Sequence, residues 1–308
     1  MMMNSLTCRV GDTPLVRLRR LEADCPGVEL HAKLEYFNPG GSVKDRAAYQ
    51  MVKEAMAAGR LGPGTTLIDS TSGNTGVAYS WLGAALGFKV ALVMPFNVSA
   101  ARKQIARAYG AEIIYSDPLE GSDGALRQVR ELVAANPDRY FYPDQYTNDA
   151  NPRAHELGTA QEIWAQTQGR VTDFVAGMGT SGTIMGGGRG LKALNPAIRT
   201  HGVEPAEPFH GLEGLKHMES SIQPGIYHPE ELDARLPIAT DLGWELSERC
   251  YTEEGLRIGH SGGAALAGAL VVARERAARG ARGVVVTVLP DRADRYFEPS
   301  RFEEPFAW

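Results

Sequence analysis

Short apolar runs alternate with longer amphipathic stretches along most of this chain. The runs at 30–34, 66–69, 89–94, 112–115, 173–176, 199–203 and 283–289 have the length and bounding turn residues of buried β-strands. Between them, 44–58, 75–86, 99–109, 124–135, 151–166, 183–194 and 263–278 carry helical spacing. Strand and helix in alternation predict an α/β fold whose mostly parallel sheets are covered by helices on both faces. The rhythm fails over 205–238, which is rich in Pro, Gly and His and shows no clear period. An irregular segment of that length in a compact chain is usually functional or mobile. Polar, turn-forming residues at 148–152 predict the passage from one domain to the next near position 150.

Composition narrows the class. A length of 308 residues suits two domains, each with a sizeable core. Hydrophobic content of 43% and charged content of 22% are those of an ordinary soluble globular protein. A net charge of −5 without a concentrated basic stripe argues against a nucleic-acid partner. No apolar run approaches bilayer-spanning length, and the first residues lack the charged and apolar regions of a signal peptide. Cys8, Cys25 and Cys250 are an odd, scattered set, as expected of reduced thiols in a cytoplasm. The seven histidines show no metal-ligand spacing, so no metal is expected.

Chemistry first shows at positions 38–46. Ser42 and Asp45 have the spacing of a capping box, with the serine capping a helix and the acid three residues on. Lys44 then falls in the first helical turn, where the macrodipole already presents partial positive charge. A cation there weakens the helix slightly. The same field, like burial, eases deprotonation of the amine. Schiff-base chemistry requires a neutral amine. An isolated lysine is more often a solvated surface group, but the loops that follow shift the balance.

Two glycine-rich loops each stand between a predicted strand and a predicted helix. The first runs Thr71, Ser72, Gly73, Asn74, Thr75, Gly76; the second runs Gly177, Met178, Gly179, Thr180, Ser181, Gly182, Thr183. Open α/β sheets bind ligands at this place, beyond the strand carboxyl ends. Free N–H groups of a helix N-terminus there meet an incoming anion, so either loop can hold a phosphate or a carboxylate without a basic residue. A tight structural turn explains one such loop equally well; two in one chain are harder to set aside. Gly177, Gly179 and Gly182 also match GxGxxG formally, with Glu204 ending a later apolar run. That leaves an NAD-dependent oxidoreductase as a distant alternative, although the fingerprint normally lies on an early βαβ unit. Neither loop continues into a Walker lysine.

Together these pieces resemble the fold-type II pyridoxal-phosphate enzymes, and more closely the cysteine synthases (O-acetylserine sulfhydrylases). The resemblance rests on Gly11 to Leu15, Gly41 to Arg46, Thr71 to Gly76, Gly179 to Thr183, Gly259 to Ala265, and Asp294 to Tyr296, in order along nearly the whole chain. Met178 to Ile184 and Gly263 to Leu270 look more like the B-type than the A-type enzymes. The resemblance implies two three-layer αβα domains of the tryptophan synthase β-like kind. Residues 1–39 plus 151–308 would form the larger domain, and 40–150 a smaller, mobile one. It implies a cytoplasmic, homodimeric transferase that makes L-cysteine by β-replacement through an α-aminoacrylate. The substrates would be O-acetylserine or O-phosphoserine, with sulfide or thiosulfate as sulfur donor. Cystathionine β-synthase, with homocysteine as nucleophile, is the alternative within the same chemistry.

The resemblance also assigns roles. Lys44 would hold pyridoxal 5'-phosphate and move the substrate α-proton. Gly179, Thr180, Ser181, Gly182 and Thr183 would cradle its phosphate, and Asn74 would hydrogen-bond its ring hydroxyl. Ser261 would face the pyridine nitrogen; without the resemblance it reads as a helix N-cap. Thr71, Ser72, Thr75 and Gln145 would bind the amino-acid carboxylate, several of them doubling as cap and turn residues. The chain departs from the A-type pattern over 211–226, which is longer and charged; Lys216 there is expected to be a solvated lysine, with pairing to an anionic substrate as the alternative, and His260 a packed or surface histidine. Phe306 and Trp308 are expected to dock on a core or a partner subunit. A phosphoserine-recognising arginine is not singled out among Arg102, Arg153 and Arg189.

Overall fold

The computed structural model of the protein describes residues 6–71, 73–96, 98 and 100–296. Ten strands are found among them: β1 Leu15–Arg17, β2 Val28–Leu34, β3 Thr66–Ser70, β4 Lys89–Pro95, β5 Glu112–Ser116, β6 Tyr140–Phe141, β7 Asp173–Gly177, β8 Arg199–Pro205, β9 Ala234–Ile238 and β10 Gly283–Leu289. The α-helices are α1 Lys44–Ala57, α2 Asn74–Leu86, α3 Ala100–Ala108, α4 Gly121–Ala135, α5 Ala150–Ala154, α6 Ala160–Gln166, α7 Gly182–Leu194, α8 Thr240–Glu254 and α9 His260–Ala278.

The strands form two sheets. One has the order β1-β2-β10-β7-β8-β9, parallel throughout except for the edge pair β1 and β2. The other is all parallel, in the order β5-β4-β3-β6. Alternate side chains of each strand feed opposite cores. In the smaller sheet Leu67, Val90, Leu92 and Met94 pack against α1 and α2, while Ile68, Ala91 and Val93 meet Ala125 and Val129 of α4. In the larger sheet Val175, Val203 and Val285 face α8 and α9, while Phe174, Val284 and Val286 face α6 and α7. Both units are therefore three-layered αβα, as the alternation predicts.

A buried ionic cluster joins the two units. Arg46 of α1 donates to Glu35 at 2.7 and 2.9 Å and to Glu162 of α6 at 2.7 Å through two nitrogens; buried Lys33 reaches Glu162 at 2.6 Å. Burial alone would raise the Glu162 carboxyl, but Arg46 and then Lys33 hold it at about 2. This cluster fixes the start of α1 against the larger sheet.

Several local expectations are corrected. The capping box does not form. Among the described residues Ser42 Oγ accepts only the Lys44 N–H, at 3.3 Å, while Asp45 turns away to the Trp81 indole at 3.0 Å and the Gly40 N–H. Helix 151–166 is interrupted by a π-helical turn at His155–Thr159. Helix 263–278 starts earlier, at His260, with Gly259 as its cap, so Ser261 lies within the first turn. The irregular stretch contains β9, and α8 follows it unforeseen. Phe306 and Trp308 lie outside the described residues.

Candidate active site

The carboxyl ends of β3, β7 and β10 open onto one cleft of about 690 Å³ between the two units. Lys44, Thr71, Asn74, Thr75, Gln145, Gly179 and Thr180 line it. A smaller adjoining cavity is lined by Lys44, Asn74 and Gly179 again, together with Thr183 and Ser261. Residues named from five separate stretches of sequence thus converge. Ser72 lies outside the described residues.

The loop after β7 forms a cradle at the N-terminus of α7. Ser181 holds φ +70°, a left-handed conformation unusual for a residue with a side chain, and its buried Oγ has no hydrogen-bond partner among the described residues. A Cβ on Gly179 would stand 2.3 Å from the Gly214 carbonyl oxygen, and one on Gly182 would stand 2.0 Å from Asn151 Oδ1. The loop is therefore closed to side chains. An orphaned hydroxyl at a helix N-terminus, whose first N–H groups have no intrahelical acceptor, fits a phosphate monoester, so the residues present fit pyridoxal phosphate.

Residues that the sequence did not flag hold the cradle in place. Asn151 Nδ2 donates to Thr180 Oγ1 at 3.1 Å and to the Gln145 carbonyl at 2.8 Å, tying the cradle to the other loop. His155 bridges Thr159 at 2.9 Å and Thr183 at 3.3 Å. Burial, then the Arg46 charge, pushes His155 down to about 3, so a neutral ring stands behind the cradle. Neither residue carries a local motif; only the fold brings them here.

On the opposite wall, Thr75 Oγ1 and Gln145 Oε1 lie 3.0 Å apart, both buried, where the first turn of α2 begins. Asn74 donates to Asp291 Oδ2 at 2.6 Å. Lys44 projects between this wall and the cradle, half-buried, and makes no ion pair within 4 Å among the described residues. Desolvation lowers its affinity for a proton, with the Asp291 charge opposing. A lysine easier to deprotonate than a surface one, beside an anion cradle, is equipped to capture an aldehyde.

Ser261, 5% exposed in the first turn of α9, offers a neutral hydroxyl to the adjoining cavity. His260 is stacked between Trp244 and Tyr296, with centroids 4.9 and 5.9 Å away, which makes it the packed histidine expected. Lys216 is not the solvated lysine expected. It is half-buried in the cleft, its ammonium 4.8 Å from the Tyr146 ring centroid, and burial lowers its proton affinity, with Asp123 opposing. Its backbone N–H donates to the Met178 carbonyl at 2.8 Å, which fastens segment 211–226 to the cradle. Arg153 and Arg189 are paired with Glu54 and Glu231, away from the residues lining the cleft. His228, Glu230 and Glu231 could together approach an ion, but Glu231 already serves Arg189.

Comparison with known proteins agrees with this geometry. Residues 6–291 match the family described as pyridoxal-phosphate dependent enzyme. A cysteine synthase of Aquifex aeolicus is 51% identical over 297 residues, covering 96% of this chain and 91% of the relative. Cysteine synthase B of Salmonella typhimurium is 41% identical over 304 residues, covering 98% and 97%. The crystal structure of O-acetylserine sulfhydrylase isoform 3 from Entamoeba histolytica superposes with a TM-score of 0.90 at 34% identity, covering 96% of this chain and 90% of that one. The chain belongs to the pyridoxal-phosphate-dependent enzymes of fold type II, in the group of the cysteine synthases.

Proposed function

We propose that this protein makes L-cysteine by pyridoxal-phosphate-dependent β-replacement on an O-activated serine, and that the residues lining the cleft carry the work. The observation that supports the reading most strongly is Lys44, an amine with lowered proton affinity in the same cleft as an anion cradle. When bound, the cofactor supplies an aldehyde for amines and a ring that withdraws electrons from the substrate α-carbon. Lys44 would hold it covalently and then carry the substrate α-proton on Nζ. Gly179 through Thr183 would hold its phosphate, and Asn74 its ring hydroxyl. Thr71, Ser72, Thr75 and Gln145 would grip the substrate carboxylate at the start of α2.

Ser261 would face the ring nitrogen with a neutral hydroxyl and would disfavour its protonation more than a carboxylate there, which would suit loss of a β-substituent over transamination. Residues 40–150 would form the smaller domain, closing on residues 1–39 and 151–308 when substrate binds and excluding water from the reactive centre. The protein is expected to act in the cytoplasm as a homodimer. No helix among the described residues is long and apolar enough to cross a membrane.

Lys216 favours a second reading of the substrate pair. A half-buried cation in the cleft suits an anionic partner, either the phosphate of O-phosphoserine or the sulfonate end of thiosulfate. Steady-state turnover with O-acetylserine and O-phosphoserine against sulfide, thiosulfate and homocysteine tests both readings. Cysteine with sulfide, or S-sulfocysteine with thiosulfate, from at least one serine ester is the expected result. Cystathionine as the preferred product would assign the chain to the homocysteine-using reaction instead.

A further inference from the structure

Asp291 is fully buried and lies two residues past the end of β10, yet no sequence signal marks it. Its backbone joins two parts of the site, and its carboxylate reaches a third. It forms an isolated antiparallel bridge with Ser42, two residues before Lys44, and the preceding Pro290 carbonyl accepts the Val43 N–H at 2.9 Å. The Asp291 carbonyl accepts the N–H of Gly259, at the turn that leads to Ser261. Gly259 has no room for a Cβ, which would stand 2.3 Å from Asp291 Oδ1. The carboxylate accepts from Asn74 Nδ2 at 2.6 Å and from the Tyr296 hydroxyl. An ionised carboxylate accepts only, so the nitrogen of Asn74, not its oxygen, must face it.

We propose that Asp291 is a positioning residue for the reaction: its carboxylate locks the amide orientation of Asn74 and supplies the negative charge against which Lys44 Nζ holds the substrate's α-proton. The role rests on the reading of Lys44 as proton carrier. In that step the substrate Cα–H bond breaks, its electron pair stays with the substrate, and the proton forms an N–H bond on Nζ. The resulting ammonium is half-buried, and a cation drawn partly out of water without a countercharge is costly. Asp291 meets the need from beyond ion-pair distance, since Lys44 has no carboxylate oxygen within 4 Å among the described residues. That spacing keeps Lys44 mobile. A direct salt bridge would hold the amine on the carboxylate and away from the substrate.

The test uses the cofactor-free protein and needs no turnover. Lys44 is labelled with trinitrobenzenesulfonate across a pH series, and its modification is read by mass spectrometry of the peptide that contains it. Asp291→Asn keeps the shape and removes the charge, so the pH at half-maximal labelling falls by about one unit, as for a lysine losing an opposite charge nearby. Tyr296→Phe removes a hydrogen bond but not the charge, so its midpoint stays near wild type. Should Asp291→Asn not fold, as judged by circular dichroism, Asp291→Ser makes the same measurement. An unshifted midpoint in the folded variant overturns the assignment, as does an equal shift in Tyr296→Phe. Failure of the wild type to make cysteine would sink the reaction reading alone, because the labelling midpoint does not depend on the reaction.

Discussion

Gly179→Ala tests the cradle most sharply, because the obstacle to a side chain there is backbone. The added methyl would lie 2.3 Å from the Gly214 carbonyl oxygen, whereas ordinary contact begins near 3.4 Å. The two loops must therefore separate by about 1 Å. That movement breaks the hydrogen bond from Lys216 N–H to Met178 O, now 2.8 Å. Overpacking of this kind costs about 1–3 kcal/mol, and the lost hydrogen bond about 0.5–1.5 kcal/mol. If about 2 kcal/mol of that falls on cofactor binding, the dissociation constant rises roughly thirtyfold. Titrating the cofactor-free variant with pyridoxal phosphate and following visible absorbance measures the loss; melting of the same preparation separates it from general destabilisation. A dissociation constant within about threefold of wild type would refute the claim that this loop is built to the dimensions of a phosphate.

Other perturbations probe the scaffold and the electronics of the site. Arg46→Met leaves the fully buried Glu35 without its main counterion and should cost about 3–5 kcal/mol, read as a lower denaturant midpoint; a cost below about 1 kcal/mol contradicts the role given to the cluster. In the wild type, Arg46 and Lys33 hold the Glu162 carboxyl at about 2, below its unfolded value. Stability from this pairing is therefore present above about pH 4.5 and is lost as pH falls towards 2, which acid titration of the melting temperature checks. Burial raises Asp69, at the end of β3, to about 7. The folded chain thus keeps a proton that the unfolded chain gives up near pH 4, and stability from this residue declines between about pH 4 and 7. Asp69→Asn should flatten that decline and stabilise the protein above pH 7 by up to about 4 kcal/mol; an unchanged pH profile counts against it. Ser261→Asp should shift the cofactor's visible absorption in the presence of amino acids to longer wavelength and raise transamination. Identical spectra would remove the argument from the neutral hydroxyl.

What was legible in the sequence follows from where its causes lie. The alternation of β3, α2, β4 and β10 is legible because each strand is buried on both faces and reads as a continuous apolar run. By contrast, β9 is an edge strand whose burial alternates, and Pro237, tolerable only at such an edge, hides it. The buried positions of α8 are Gly243, Leu246, Ser247 and Cys250, too small and polar a stripe to declare a helix. The capping box failed because tertiary partners outbid a local one: Trp81, 36 residues away, takes the Asp45 carboxylate.

The site divides in the same way. Gly179, Gly182 and the hydroxyls around them are legible because close backbone approach and helix starts demand those residue types locally. Asn151, His155 and Asp291 act through partners distant in sequence, as in the 217-residue separation between Asn74 and Asp291. The sequence leaves Lys216 between two readings because nothing local distinguishes a cleft lysine from a surface one.

The central claim is that the amine of Lys44 and the cradle of residues 179–183 serve one cofactor molecule. Borohydride reduction of the protein loaded with pyridoxal phosphate, followed by peptide mass spectrometry, tests it directly. The account predicts a single modification on Lys44 that disappears in Lys44→Ala while the variant stays folded. Modification at another lysine, or undiminished modification in Lys44→Ala, would contradict it.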